Sequence, residues 1–149
     1  MLIVAWLTAS VRLKSMSGNE EEIIRFAARK MHALGYDDVI IDPMGNLLGR
    51  IGSGGKVILF DSHVDTVAVT DEEQWDVPPF SGDIVDGYLS GRGAVDMKSS
   101  VAASIYAGAL AKNLGWIAGK TVYVSCTVLE EDCDGENLKH FFRELNLRP

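Results

Sequence analysis

The chain has 149 residues, 47% of them hydrophobic and 23% charged, which suits about one domain with a buried core and not a disordered chain. Lys and Arg number 14 against 21 Asp and Glu, a net charge of −7, which argues against the clustered basic surface that nucleic-acid phosphates require. Cys126 sits in an apolar run and Cys133 among acids; they form no disulfide framework and fit a reducing compartment, so the cytoplasm is the expected location.

Met1 to Leu7 are strongly apolar but have no basic residue before them. The run is far shorter than the ~20 residues of a membrane span, so it reads as a packing helix rather than a secretory signal. Ser17-Gly18-Asn19-Glu20 fits a capping box, with Glu20 reaching back to the Ser17 cap. Ile23, Ala27, Met31 and Leu34 then recur at helical spacing, Glu20 to Glu22 favour the helix dipole, and Gly35 stops the helix.

Val39 to Ile41 predict a short strand, Pro43 and Gly45 a turn, and Asn46 to Ile51 a second strand. Gly52 to Gly55 precede Lys56 without Walker spacing or a following Ser or Thr, so a hairpin-like connection is expected rather than a phosphate loop. Val57 to Phe60 read as a strand buried on both faces, and residues 71–90 as loop. Asp96 to about Asn113 read as helix, Thr121 to Leu129 as a long buried strand and Gly135 to Leu145 as a last helix. The alternation predicts an α/β fold with a central mixed, largely parallel sheet flanked by helices.

Three clusters carry candidate chemistry. In Asp61-Ser62-His63-Val64-Asp65, just past a strand, His63 and Asp65 share a face, where an imidazole can bind a metal and a carboxylate can orient it. A histidine with a structural hydrogen bond is the plainer reading of that triplet. In Gly91 to Lys98 the G-x-G opening lacks the third glycine of a dinucleotide fingerprint, since Asp96 stands there. Asp96 reads either as a helix cap or as a ligand delivered to a helix start. Glu130-Glu131-Asp132 follow a buried strand, where adjacent carboxylates repel unless cations or solvent stabilise them; an exposed acidic loop is the alternative. Strand ends in α/β sheets are common ligand sites, and nitrogen plus oxygen donors without sulfur suit a catalytic zinc, cobalt or manganese site. A serine hydrolase built on Ser62 lacks the G-x-S-x-G elbow.

The order DSHVDTV (from Asp61), GRGAVDMK (from Gly91) and EED (from Glu130), with Trp75, PPFSG and DGYLSGRG between them, resembles the M20 metallopeptidases and their deacylase and desuccinylase relatives. The resemblance runs from about Ser15 to the end. SMSGNEE and EEDCDGEN are similar to the branch of selenium-metabolism-linked hydrolases. It implies that residues 1–149 are the N-terminal part of a zinc-aminopeptidase-like catalytic domain. By the same resemblance His63 binds one metal, Asp96 bridges two, and Glu131 binds the other. Asp65 is the carboxylate beside His63, and Glu130 is the general base. Two divalent ions are implied, zinc first and cobalt or manganese as substitutes. The implied substrate is a small peptide or N-acyl amino acid, hydrolysed at its amide bond by a metal-activated water. No nucleic-acid or membrane partner is implied, and full-length relatives are homodimers. A cis peptide after Asp96 is also implied.

MKSS (Met97 to Ser100) replaces the usual MKGG or MKGS. The family's further carboxylate ligand, its last histidine and its lid domain have no counterpart here, and His32 and His140 lie in predicted helices away from the motifs. The expectation is a truncated hydrolase that retains a half-site. Its alternative is an inactive half-domain that binds metal weakly or pairs with another chain.

Overall fold

The structure, a computed structural model, describes residues 2–144 and Asn146. The apolar start forms helix α1, Leu2–Arg12; Met1 lies outside the described residues. Trp6 of α1 stacks on Phe26 at a centroid distance of 5.1 Å, which docks α1 on helix α2, Glu21–Ala33. Ile23, Ala27 and Met31 of α2 are buried, as the helical stripe predicts. Three strands follow, β1 (Asp38–Ile41), β2 (Leu47–Gly52) and β3 (Lys56–His63). A small hairpin of β4 (Ile84–Val85) and β5 (Tyr88–Leu89) then interrupts the loop region. Its two-residue turn, Asp86-Gly87, has positive φ at both positions (51° and 84°), the geometry that matches strand twist.

Helix α3 spans Ser99–Asn113, strand β6 Lys120–Thr127, and two helices close the described chain, α4 (Glu130–Cys133) and α5 (Glu136–Glu144). Leu145, the expected end of the last helix, lies outside the described residues.

The main sheet has the order β1-β2-β6-β3. Side chains alternate across it. Leu47, Ile51, Val122, Val124 and Cys126 face one layer, where they pack with Ile23, Met31, Val101 and Ile105 of α2 and α3. Leu48 and Tyr123 face the other, where Phe141 of α5 covers them. Each fully buried Leu, Ile or Val contributes about 1.5–3 kcal/mol, so the three-layer core rests on the central strands β2 and β6. The α/β class and the mixed sheet flanked by helices are therefore as read from the sequence. Within the main sheet, among the described residues, parallel pairing is confined to β3 with β6, while β1–β2 and β2–β6 are antiparallel, so the sheet is less parallel than the alternation suggested.

Three local expectations change. The Gly52 to Gly55 segment is not a hairpin, because β6 lies between β2 and β3. It wraps the start of β6 so closely that a Cβ on Gly54 would sit 2.0 Å from the Gly119 carbonyl carbon. β3 is not buried on both faces: among the described strands it pairs only with β6, and Phe60 is 49% exposed. The capping box does not form, since Glu20 occupies the cap position of α2 without a side-chain cap bond. Ser17 Oγ instead donates to Asp65 Oδ2, and Glu20 Oε1 accepts from the Leu129 N–H. A long-range partner has displaced the local one in both cases.

Candidate metal centre

The parallel register of β3 and β6 pairs His63 with Thr127. The two strands therefore leave the sheet side by side at their C-terminal ends, where ligands bind in open α/β sheets. One exit carries His63, Val64 and Asp65, and the other leads through Val128 and Leu129 into Glu130 and Glu131 at the start of α4.

Asp96 arrives from a third direction. Residues Ala94–Lys98 make a tight turn in which Asp96 is extended (φ −113°, ψ 100°) and the Asp96–Met97 peptide is cis. Gly93 opens this turn at φ +78°, and a Cβ there would lie 2.7 Å from Thr66 Cγ2. Both the positive φ and the close approach call for glycine. The helix proper begins later than the alanine-rich pattern suggested, at Ser99. Asp96 makes no cap bond to it, so of the two readings for this residue the cap is not the one observed.

All five sequence-derived side chains meet here. His63 is buried and donates from Nδ1 to the Asp65 carbonyl at 3.0 Å, with Asp65 Oδ1 at 3.3 Å. Its Nε2 points the other way, 3.1 Å from Asp96 Oδ1 and 3.6 Å from Glu130 Oε2. His63, Asp96 and Glu131 each present one donor atom, and the three atoms lie within 4.8 Å of one another. Asp65 lies beneath, fully buried; Oδ1 accepts the Glu130 N–H and Oδ2 the Glu131 N–H, each at 3.0 Å, and Oδ2 also accepts from Ser17 Oγ at 2.8 Å. Ser17 was missed as a site residue, because its S-x-x-E context has a purely local explanation.

The electrostatics are those of a carboxylate cluster. Burial alone would pull the His63 imidazole down, but the bond to Asp65 and its charge, joined by Asp96 and Glu130, raise it to about 9. Asp65 goes the other way: burial opposes ionisation, but the bonds from His63, Ser17 and the two backbone N–H groups hold it down at about 2. Glu131 is pushed up, first by burial and then, against the pull of His63, by the charges of Asp96, Asp65 and Glu130. Among the described residues no Lys or Arg pairs with any of these four carboxylates.

Lys98 and Arg92, the basic residues flanking Asp96 in the sequence, are engaged elsewhere. Lys98 is fully buried, and its Nζ donates to Ser10 O and Leu13 O at 3.0 and 2.7 Å, closing the C-terminal end of α1. Arg92 lies over the Trp75 ring, 5.4 Å from its centroid. His140 stands 3.4 Å from Asp42 in a separate contact, and His32 lies in α2.

Residues 59–148 match the family model described as Peptidase family M20/M25/M40. The chain is 37% identical over 144 residues to YgeY of Escherichia coli strain K12, covering 97% of this chain and 36% of that one. It is 40% identical over 87 residues to a succinyl-diaminopimelate desuccinylase of Bradyrhizobium sp. strain BTAi1, covering 58% of this chain and 23% of that one. Its fold matches the M20 family metallo-carboxypeptidase Sso-CP2 from Sulfolobus solfataricus with a TM-score of 0.82 at 20% identity, over 94% of this chain and 33% of that one. The chain thus spans about a third of the length of YgeY and of Sso-CP2. With the family match extending over more than half of its residues, the chain belongs to the M20/M25/M40 peptidase family.

Proposed function

We propose that the chain carries one part of a two-metal hydrolase site that cleaves the amide bond of a small peptide or N-acyl amino acid. The observation that carries this reading is the division of labour at His63. Nδ1 is committed to Asp65, which fixes the ring, while Nε2 faces Asp96, with a Glu131 oxygen in the same cluster. That is how a metal-ligating histidine is set.

The donor set fits a divalent cation. It offers one imidazole nitrogen and carboxylate oxygens without sulfur, which suits zinc first and cobalt or manganese next. Four carboxylates around one imidazole leave an excess of negative charge that a cation would balance. His63 and Glu131 would hold separate ions, with Asp96 shared between them. Such ions, when bound, polarise a carbonyl and make water a stronger acid.

The rest is done by this chain's own groups. Glu130, half-exposed beside His63, accepts a proton from the attacking water and returns it to the leaving amine. Asp65 does not reach solvent; it holds His63 and the backbone of both glutamates in place. The lid domain, the remaining ligands and the homodimer belong to this proposal through the family, with residues 1–149 as the N-terminal part of the catalytic domain. A cytoplasmic location fits two free cysteines, and among the described residues no helix is long and apolar enough to cross a membrane.

Calorimetric titration with zinc, cobalt and manganese tests the site, and hydrolysis of N-acyl amino acids and dipeptides with and without chelator tests the reaction. Glu130→Gln should keep metal uptake and lower any hydrolysis that the parent chain shows, whereas His63→Ala should lose metal uptake. No uptake even at high zinc would refute the site.

A further inference from the structure

Glu20 is a buried carboxylate that the chemistry above does not use. It is 6% exposed, and a carboxylate is expensive to bury unless hydrogen bonds hold it. Among the described residues it has no cationic partner; its Oε1 accepts the N–H of Leu129 at 3.0 Å, across 109 positions of sequence. Leu129 is itself unusual, with φ 59° and ψ 25°, a left-handed conformation that non-glycine residues seldom adopt. The turn into Glu130 and Glu131 is therefore imposed by its surroundings.

Those surroundings are side chains from four separate segments. Asn46 Oδ1 accepts the Val128 N–H at 3.1 Å, Asn137 Nδ2 donates to the Val128 carbonyl, Glu20 takes Leu129, and Asp65 takes Glu130 and Glu131. Asn46 is fully buried and is itself held by Asp42 through a 3.0 Å bond to Oδ2. Each backbone N–H from Val128 to Glu131 thus ends on a side chain brought in from elsewhere.

We infer that Glu20 is a positioning residue for the metal centre: by holding Leu129 in its left-handed turn, it fixes where the Glu131 carboxylate stands relative to His63 and Asp96. This rests on the metal-site reading above. It also gives the Ser17-to-Glu20 motif a use that helix capping does not, since Ser17 reaches the same loop through Asp65.

Two variants separate reach from charge. Glu20→Gln keeps an oxygen at the same distance, and Glu20→Asp keeps the charge on a shorter arm. Cobalt(II) titration followed by visible absorption should show Glu20→Asp binding about 10-fold more weakly or worse, the range for residues that orient metal ligands. Its folded, metal-saturated spectrum should also be altered. Glu20→Gln should stay within about 2-fold of the parent with an unchanged spectrum. A Glu20→Asp variant with parental affinity and spectrum overturns the inference, and so does a Glu20→Gln variant that loses as much as Glu20→Asp. If the parent chain takes up no cobalt, the metal-site reading fails by itself. Amide exchange then decides on Glu20: faster exchange at Leu129 in Glu20→Asp alone supports its hold on the turn, and equal exchange in all three overturns it.

Discussion

Replacing Asp65 by Asn removes a charge and almost no volume, so its cost can be worked out from the bonds the carboxylate makes. Oδ1 accepts from the Glu130 N–H and faces His63 Nδ1; Oδ2 accepts from the Glu131 N–H and from Ser17 Oγ. An Asn amide has one oxygen, so either orientation points an NH2 at one backbone N–H. The Ser17 hydroxyl can rotate to accept, but the backbone cannot. A buried donor left without an acceptor costs about 1–3 kcal/mol. Independently, the fall of the Asp65 carboxyl from 3.8 to about 2 corresponds to roughly 2.5 kcal/mol at about 1.36 kcal/mol per unit. The two figures count largely the same bonds, so Asp65→Asn should lose about 2–3 kcal/mol in the metal-free protein at neutral pH. The sign with pH follows from the lowered value. Between pH 3.8 and about 2 the unfolded chain binds the proton more readily than the folded one, so the Asp65 contribution is full above this window and is lost as pH falls through it. Urea unfolding in the presence of chelator, from pH 7 down to pH 3, should show the gap between parent and variant narrowing at the acid end. A loss under about 1 kcal/mol at pH 7, or a gap that does not narrow, would refute the account of Asp65 as an ionised, fully bonded hub.

Gly93→Ala meets both a positive φ and a 2.7 Å approach to Thr66; it should cost about 1–3 kcal/mol in urea unfolding and weaken zinc uptake by displacing Asp96. Burial lowers the Lys98 ammonium to about 8 from its ordinary 10.5, so the folded chain sheds this proton first and the Lys98 contribution to stability rises with pH across that window, against the fall that the raised His63 contributes. Lys98→Met should remove this contribution, so that in unfolding measured between pH 7.5 and 9.5 the variant loses stability relative to the parent; an identical slope in both would count against a buried ammonium. Saturating zinc should raise the unfolding free energy by about 2.7 kcal/mol at 100 times Kd, an increase that His63→Ala abolishes and chelator reverses, measured by thermal melts.

The sequence made the site more legible than the sheet. His63, Asp65, Asp96, Glu130 and Glu131 are found together because each stands where an apolar run or a glycine turn ends, and such ends are marked by residue type. Strand order leaves no such mark. The run Val57 to Phe60 is apolar enough for a central strand, yet β3 is an edge strand among the described residues and Phe60 is half-exposed. Nothing local in Gly52 to Gly55 distinguishes a hairpin from a loop that steps around β6. The S-x-x-E motif misled for the opposite reason: its local pattern was complete, but the fully buried Asp65 and the left-handed Leu129 offered Ser17 and Glu20 long-range partners instead.

The centre depends on one register. His63 lies opposite Thr127 only while β3 and β6 pair as Lys56 with Lys120 through to that last pair. A slip of one residue would turn His63 to the other face of the sheet and leave Asp65 too far along to accept from both glutamate N–H groups. The packing beneath opposes such a slip, since Ile58 and Leu59 lie against different cores on the two faces and a slip would exchange them. The side-chain bonds from Asp65 to Glu130 and Glu131 continue the pairing beyond the last strand residue, so the ladder and the carboxylate cluster stabilise the same alignment. The His63–carboxylate cluster is therefore a readout of sheet register, and on the metal-site proposal stability lost in the ladder should appear as lost metal affinity even where no residue of the cluster is touched.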